Sequence, residues 1–164
     1  QDQPVEQSKV FMAGEERYIA YRREGRGQDY FDDIASKRIV GILGFHYGFA
    51  DFNADETYLS EHFNVLLSTD HLRNIQLILA NRPEIAEVAV VSRSFLGEYL
   101  RENPEHRKQL LISDKFDQTY QHRVLIRKDS KISVEKINEL IDALEADGVL
   151  DKIRKRFNLN KIES

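Results

Sequence analysis

The 164-residue sequence contains no cysteine, no tryptophan, one methionine and three prolines. The lack of cysteine excludes disulfide bonds, thiolate metal sites and a cysteine nucleophile. No apolar run approaches the ~20 residues that a membrane-spanning helix needs, so we expect no direct membrane span. With 24 basic and 28 acidic residues the net charge is −4, and this balance argues against a nucleic-acid partner.

Motifs of enzymes and cofactor sites are missing as well. The five histidines show no HxxxH or HExxH spacing, so no metal site is expected. The segment GILGFHYG (41–48) matches neither GxxxxGKS/T nor GxGxxG, and its aromatic residues would keep a pyrophosphate away from the backbone. The segment SRS (92–94) lacks the glycines of a nucleophile elbow, so Ser92 is expected to be a helix cap or a ligand contact. We therefore expect no catalytic residue, no cofactor and no enzymatic activity.

Two pairs of adjacent acidic residues could be mistaken for a catalytic carboxylate pair. Glu15 is followed by Glu16, and Asp32 is followed by Asp33. Because neighbouring side chains diverge, we expect both pairs to be solvated.

What the sequence does contain is a regular alternation of strand and helix patterns. Short apolar runs bounded by turn residues predict strands, and capping residues before amphipathic segments predict helices. Because the connections are short and helices alternate with strands, we expect a mostly parallel α/β sheet flanked by helices. The predicted strands are 9–21 (one or two strands), 38–43, 64–68, 87–91, 109–113 and 120–128, and helices are predicted after Asp55, after Thr69 or Asp70, and after Ser92 or Ser94.

The last third of the chain predicts two amphipathic helices. Ser133 is a good cap for the first, and Gly148 stands where a left-handed residue would end it. The apolar residues that follow the helical period are expected to face the core, namely Ile137, Leu140, Ile141 and Leu144 in the first helix and Leu150, Ile153 and Phe157 in the second.

Polar and aromatic residues follow three of the predicted strands. In open α/β sheets, ligands bind beyond the carboxyl ends of the strands. A ligand crevice is therefore one interpretation of the loop that starts at Gly44. The other is that Phe49 and Phe52 of this loop cover the core while His46 bonds to the backbone. The strand-end residues are Phe45, His46 and Tyr47, then Ser68, Thr69 and Asp70, and then Ser92, Arg93 and Ser94.

Three segments together resemble a known family, the type 2 periplasmic solute-binding proteins typified by the polar amino-acid receptors of ABC transporters. The first, DIASKRIVGILGFHYG (33–48), resembles the start of the family's second lobe, and a later one is RPEIAEVAVVSRSFLGEYL (82–100). The most specific is the ending, YQHRVLIRKDSKISVEKINELIDALEADGVLDKIRKRFN (120–158). The resemblance covers most of residues 9–158.

This resemblance implies two α/β lobes joined by two crossing strands, which close on a solute like a hinge. The implied divisions are an N-terminal segment with the first crossing strand at 1–36, the second lobe at 37–118, and the return strand with C-terminal helices at 119–164. The sequence starts near the end of the family's first lobe, so an incomplete first lobe is expected. The apolar stripe of the C-terminal helices would then be exposed, which favours a homodimer or segment exchange.

The resemblance also places the ligand site. The family aspartate that holds an α-ammonium group corresponds to Ser92, and the family Gly-Thr pair corresponds to Gly44 and Phe45. These departures disfavour a standard α-amino acid, because a charge-assisted contact worth about 1.5–3 kcal/mol is lost. The expected ligand-binding residues are Phe45, His46, Tyr47, Asp70, Ser92 and Arg93.

The function implied by the resemblance is capture of a small polar, amino-acid-like solute for an ABC importer or a sensor protein. The implied partners are the solute, the membrane subunits of the transporter or the sensor, and a second copy of the chain. The implied location is periplasmic, with any signal peptide already removed. The alternative is a ligand-free interaction or dimerisation module on the same fold.

Overall fold

The computed structural model describes residues 5–159, so the first four residues of segment 1–36 and the last five of segment 119–164 lie outside the described residues. Strands and helices alternate through the middle of the chain, and two helices close it. The strands are β1 (Val5–Gln7), β2 (Met12–Tyr21), β3 (Ile39–Ile42), β4 (Val65–Ser68), β5 (Val88–Ser92), β6 (Leu110–His122) and β7 (Leu125–Arg127). The helices are α1 (Glu56–His62), α2 (His71–Leu79), α3 (Arg93–Glu102), α4 (Val134–Ala146) and α5 (Val149–Phe157).

Five strands form one mixed sheet in the order β4-β3-β5-β2-β6. Strand β3 pairs in parallel with both β4 and β5, whereas β2 pairs antiparallel with β5. The backbone N–H of Arg22 donates to Gln109 at 2.7 Å, and that of Phe11 donates to His122 at 3.2 Å. These two bonds show that β2 and β6 are also antiparallel. The α/β fold with a flanked sheet is confirmed, and its parallel part is β3, β4 and β5.

The core lies on both faces of this sheet because side chains alternate along each strand. In β5, Ala89 and Val91 pack with α2 and α3 on one face, while Val88 and Val90 pack with Phe31 on the other. All five residues of β5 are buried. A strand buried on both faces explains why its sequence is an uninterrupted apolar run.

The predicted helix caps are confirmed, and the structure selects one residue wherever two were possible. Asp55 accepts a hydrogen bond from the N–H of Tyr58. Asp70 caps α2, Ser92 caps α3 and Ser133 caps α4 in the same way. Such caps satisfy N–H groups that have no partner inside the helix. Gly148 adopts the left-handed conformation (φ 68°) between α4 and α5, as predicted.

The chain divides into two compact units. The α/β unit is Glu15–Thr119, and the terminal unit comprises Gln1–Gly14 and Tyr120–Ser164. Strands β2 and β6 each run from one unit into the other, because both unit boundaries fall inside these strands. Among residues 5–159, no helix has the length and apolar character needed to cross a membrane.

The described part of the terminal unit contains the antiparallel pair β1–β7, the helices α4 and α5, and one end each of β2 and β6. Its best-connected side chain is Arg154 of α5, which is buried. The guanidinium group bonds to Glu145 at 2.7 Å, to Asp151 at 3.0 Å and to the carbonyl oxygen of Phe11 at 2.6 Å. Arg154 thereby joins α5 to α4 and to the segment before β2.

Two expectations about strands and acidic residues are wrong. The two strands expected at 109–113 and 120–128 are one 13-residue strand, β6, followed by the short β7. The second half of β6 is mostly polar and half-exposed, so it lacks the apolar pattern that signals a strand. The N-terminal prediction of one or two strands is confirmed, with the single ten-residue strand β2. Glu15 and Glu16, expected in solvent, are both buried in β2, whereas Asp32 and Asp33 are exposed.

The apolar stripe of α4 is only partly buried. Ile141 is buried, but Leu140 and Leu144 are exposed, and so is Phe157 of α5. The expectation that these four residues all face a core is therefore wrong for three of them. The β1–β7 pair of this unit has only three residues in each strand.

Candidate functional site at the carboxyl ends of the parallel strands

The parallel strands β3, β4 and β5 end at the same edge of the α/β unit. Phe45 lies in the turn after β3, Asp70 and His71 follow β4, and Ser92 and Arg93 stand where β5 meets α3. Six residues lie at this edge, and we call them together the strand-end site. They are Phe45, Asp70, His71, Ser92, Arg93 and Phe95.

The turn after β3 presents two of the three aromatic residues predicted there to solvent. The N–H of Phe45 donates to the carbonyl of Ile42 at 3.2 Å, and Gly44 has a φ of 78°, which favours glycine. The side chains of Phe45 and His46 are exposed. Tyr47 is fully buried, and its hydroxyl accepts a hydrogen bond from the N–H of Ile42 at 2.6 Å. Burial raises the pKa of Tyr47, so this side chain belongs to the core.

Asp117 of β6 anchors the loop that carries Phe45. Its carboxylate accepts hydrogen bonds from the N–H groups of Gly48 at 2.7 Å and Phe49 at 2.9 Å. It also accepts one from the Tyr18 hydroxyl at 2.6 Å. A Cβ atom on Gly48 would lie 2.0 Å from the Asp117 carbonyl oxygen, so this close approach requires glycine. Burial and the hydrogen bond to Asp117 together raise the pKa of Tyr18.

The segment after β4 is organised by hydrogen bonds to Asp70. One carboxylate oxygen of Asp70 accepts from the N–H of Arg73 at 2.8 Å, and the other accepts from the Thr69 hydroxyl at 3.2 Å. The bond from the Arg73 N–H holds the pKa of Asp70 below its usual value. Beneath it, the Ser68 hydroxyl bonds to the fully buried Asn74 side chain. Both carboxylate oxygens of Asp70 therefore already serve the local structure.

His71 lies between two aromatic rings. Its ring centre is 6.1 Å from that of Phe45, edge to face, and 5.3 Å from that of Phe95. Burial lowers the pKa of His71, so the neutral imidazole is favoured. The buried Nδ1 atom has no hydrogen-bond partner among residues 5–159. His71 was not among the predicted ligand residues.

The end of β5 is tied to a buried ion-pair network. The Ser92 hydroxyl accepts from the N–H of Phe95 at 3.2 Å. The Arg93 guanidinium lies 3.2 Å from Glu15, and Arg17 approaches the same Glu15 oxygen to 2.6 Å. This network explains how Glu15 is tolerated inside the protein, because a buried carboxylate needs paired charges.

Of the predicted ligand residues, five lie at or beside this edge and one does not. The His71 ring contacts Phe45 on one side and Phe95 on the other. His46 is exposed, and its carbonyl accepts from Gln118 at 2.6 Å. Tyr47 packs in the core instead. Within the described part of the chain, no three His, Asp or Glu side chains are grouped so that they could hold a metal ion.

Four further residues that shape the site were missed from the sequence, namely Glu15, His71, Phe95 and Asp117. The sequence places Asp117 69 residues after its hydrogen-bond partner Gly48. No local pattern marks such a pairing. A signal for His71 was available, since it follows the helix cap at the end of a predicted strand.

No known family profile matches the sequence, and no curated protein matches it. Solved structures do match. The ligand-binding core of GluR0 from Nostoc punctiforme, in complex with L-glutamate, is 16% identical, with a TM-score of 0.64, and the match covers 95% of this chain and 66% of that one. The unliganded L-cystine solute receptor of Neisseria gonorrhoeae is 19% identical (TM-score 0.60), with 93% and 60% covered. The substrate-binding protein of an amino acid ABC transporter is 20% identical (TM-score 0.59), with 93% and 63% covered.

These matches confirm the fold that the sequence resemblance predicted, that of the type 2 periplasmic solute-binding proteins. Identities of 16–20% establish the fold alone. The chain spans less than two thirds of the length of each of these structures.

Proposed function

We propose that this chain is a solute-binding domain that captures a small polar solute, of the amino-acid class or similar to it, without catalysis. The observation that carries the proposal is the strand-end site. Three parallel strands of a solute-binding fold end at one edge of the α/β unit, and partly exposed aromatic rings stand there beside helix caps. Ligands bind at this edge of open α/β sheets.

The connectivity of the chain supports capture by hinge closure. Strands β2 and β6 both pass from the α/β unit into the terminal unit. Two chain crossings between compact units are the connection that a hinge uses when it closes on a ligand. The strand-end site would supply half of the contacts, and a first lobe would supply the rest.

The solved structures that share the fold support the wider role. Their names describe an L-glutamate complex, an L-cystine receptor and a receptor of an amino acid ABC transporter. We extend to this chain the corresponding partners, either the membrane subunits of an ABC importer or a sensor protein. A periplasmic or other extracytoplasmic location is part of the same proposal.

A thermal-shift screen of the 164-residue chain against the amino acids and other small solutes tests this function. A solute that binds only the folded state raises the Tm in proportion to the logarithm of its concentration above Kd. We expect one chemical class of solute to raise the Tm in a saturable way, and Phe45→Ala to weaken the response. A chain that responds to no solute in the screen contradicts the proposal.

Self-association is the second candidate function, and the surface of the terminal unit favours it. A groove of about 520 Å³ between β7 and α4 is lined by four apolar residues, Leu125, Ile126, Ile132 and Ile137, and by the polar residues Arg127, Asp129 and Ser130. The apolar side chains exposed on this unit are Val5, Leu125, Ile132, Leu140, Leu144 and Phe157. Exposed apolar surface of this kind marks interaction sites.

Light scattering distinguishes this second candidate. An interaction module is supported if the chain forms a concentration-dependent dimer that Leu125→Ser converts to a monomer. In that case no solute of the screen should change the Tm. The matched control is Leu66→Ser, which changes an exposed leucine of the α/β unit. A monomer at every concentration removes this candidate.

A further inference from the structure

The strand-end site offers aromatic surface where a small solute would lie. Phe45 is 41% exposed and Phe95 is 37% exposed, and the His71 ring touches both. The three rings come from the ends of three different strands, so the tertiary fold and not a local cluster brings them together. Ligand pockets are lined mainly by such aromatic and apolar groups, with a few polar ones that fix orientation.

The charged and polar groups of the same edge are already committed to the protein. The Glu15 carboxylate is bound by Arg17 and Arg93, and both Asp70 oxygens accept hydrogen bonds. The Ser92 hydroxyl caps α3. Since Glu15 is buried, an α-ammonium group at this edge would have only the acceptor positions of the exposed Asp70 that these bonds leave open.

We propose that the strand-end site selects its solute by a flat unsaturated ring, which lies against Phe45 and Phe95 and bonds to His71 through a polar substituent. This inference rests on the proposed function and names its ligand class. Offset or edge-to-face ring contacts add to area burial, so an aromatic ring gains more from these phenylalanines than a saturated ring of equal size.

His71 supplies the polar contact. A neutral imidazole has one donor and one acceptor nitrogen, and the buried Nδ1 finds no partner among residues 5–159. A buried nitrogen without a partner is costly, and an amide or hydroxyl substituent on the solute would satisfy it once the His71 ring turns toward the solute. The solute that fits the strand-end site is thus a small ring that carries one hydrogen-bonding group.

Nuclear magnetic resonance titration of the ¹⁵N-labelled full chain tests the inference with a matched pair of probes. Benzamide and cyclohexanecarboxamide have the same amide group and the same number of heavy atoms but differ in aromaticity. L-alanine serves as the probe for recognition through an α-ammonium group. The readout is the chemical shift of the amides of residues 43–48, 69–73 and 92–96.

We expect benzamide to shift these amides with an affinity about 3- to 10-fold higher than that of cyclohexanecarboxamide. Phe45→Leu and Phe95→Leu should each remove most of that difference, because they keep an apolar side chain and lose the ring. The control is Phe116→Leu, which changes an exposed phenylalanine of β6. The dispersion of each variant's spectrum shows whether it is folded.

The contrary outcomes separate the two proposals. Equal binding of both carboxamides, or tighter binding of L-alanine at the same amides, overturns the ring preference and leaves solute capture standing. If these probes and every solute of the thermal-shift screen leave the strand-end amides unmoved, both proposals fail.

Discussion

The α/β unit and the terminal unit differ in how they are held together. Nearly all the buried apolar side chains of residues 5–159 belong to the α/β unit, and only Ile126, Ile141 and Leu150 belong to the terminal unit. In the terminal unit, the elements are held together by a buried guanidinium group and by several hydrogen bonds between side chains and the backbone. One unit is stabilised mainly by apolar packing, and the other mainly by polar contacts.

This difference indicates which unit can support a site by itself. Rigid, well-packed elements hold the side chains of a binding site in place more accurately than loosely packed elements do. The strand-end site stands on β3, β4 and β5, whose side chains fill both faces of the sheet. The terminal unit exposes apolar surface instead, as a unit does when it needs further chain or a partner to cover it.

The largest effect is expected when the polar centre of the terminal unit is removed. Arg154→Ala should lower the free energy of unfolding by about 3 kcal/mol, because Glu145 and the Phe11 carbonyl lose a buried charged partner. Urea denaturation followed by circular dichroism measures this loss. Lys155→Ala, at an exposed position of the same helix, should stay within about 0.5 kcal/mol of the parent. Equal effects of the two substitutions would show that Arg154 does not hold the unit together.

The loop of the strand-end site depends on one carboxylate, so its removal should have the next largest effect. Asp117→Ala leaves the N–H groups of Gly48 and Phe49 and the Tyr18 hydroxyl without their acceptor. We expect a loss of about 2 kcal/mol, because partners left unsatisfied in a partly buried site are costly. Asp114→Ala, at an exposed position of the same strand, is the control. A stable Asp117→Ala variant with unchanged amide shifts at Gly48 and Phe49 would contradict the anchoring role.

Acid should destabilise the α/β unit through His71. Burial lowers the pKa of this imidazole from its ordinary value of 6.5, while Asp70 opposes the shift. Below that ordinary value the unfolded chain binds a proton that the folded chain does not, so stability is complete above it and is lost as the pH falls. Unfolding free energies measured at several pH values should therefore fall more steeply in the parent than in His71→Gln. Identical slopes in the parent and in His71→Gln would refute this role.

The smallest stability effect is expected at the aromatic surface itself. Because Phe45 is exposed, Phe45→Leu should change the free energy of unfolding by less than about 0.5 kcal/mol. Differential scanning calorimetry measures the change. A loss several times larger would mean that Phe45 is a structural residue, and the aromatic surface would then need another explanation.

The elements of the α/β unit were predictable because their signals are local. Strand β5 shows its burial as an apolar run, and Asp55, Asp70 and Ser92 mark helix starts by their own side-chain chemistry. The fold followed from the order of these elements and from the family resemblance. The position of the strand-end site followed in turn, because parallel strands end at one edge.

The missed features depend on pairings between distant parts of the chain. Asp117 and Arg154 find their partners across 69 and 143 residues, and no periodicity reports such contacts. Glu15 looked like a solvated acid because its counterion Arg93 lies on another strand end. Tyr47 looked like a ligand residue, yet the fold turns its ring into the core, where its hydroxyl bonds to Ile42.

Amide hydrogen exchange of the full chain, with and without a solute that raises its Tm, tests the central claim most directly. Binding at the strand-end site predicts slower exchange in residues 43–48, 69–73 and 92–96, with the exchange of α4 and α5 unchanged. Protection confined to the terminal unit, with no change at the carboxyl ends of β3, β4 and β5, would contradict the claim that this edge binds the solute.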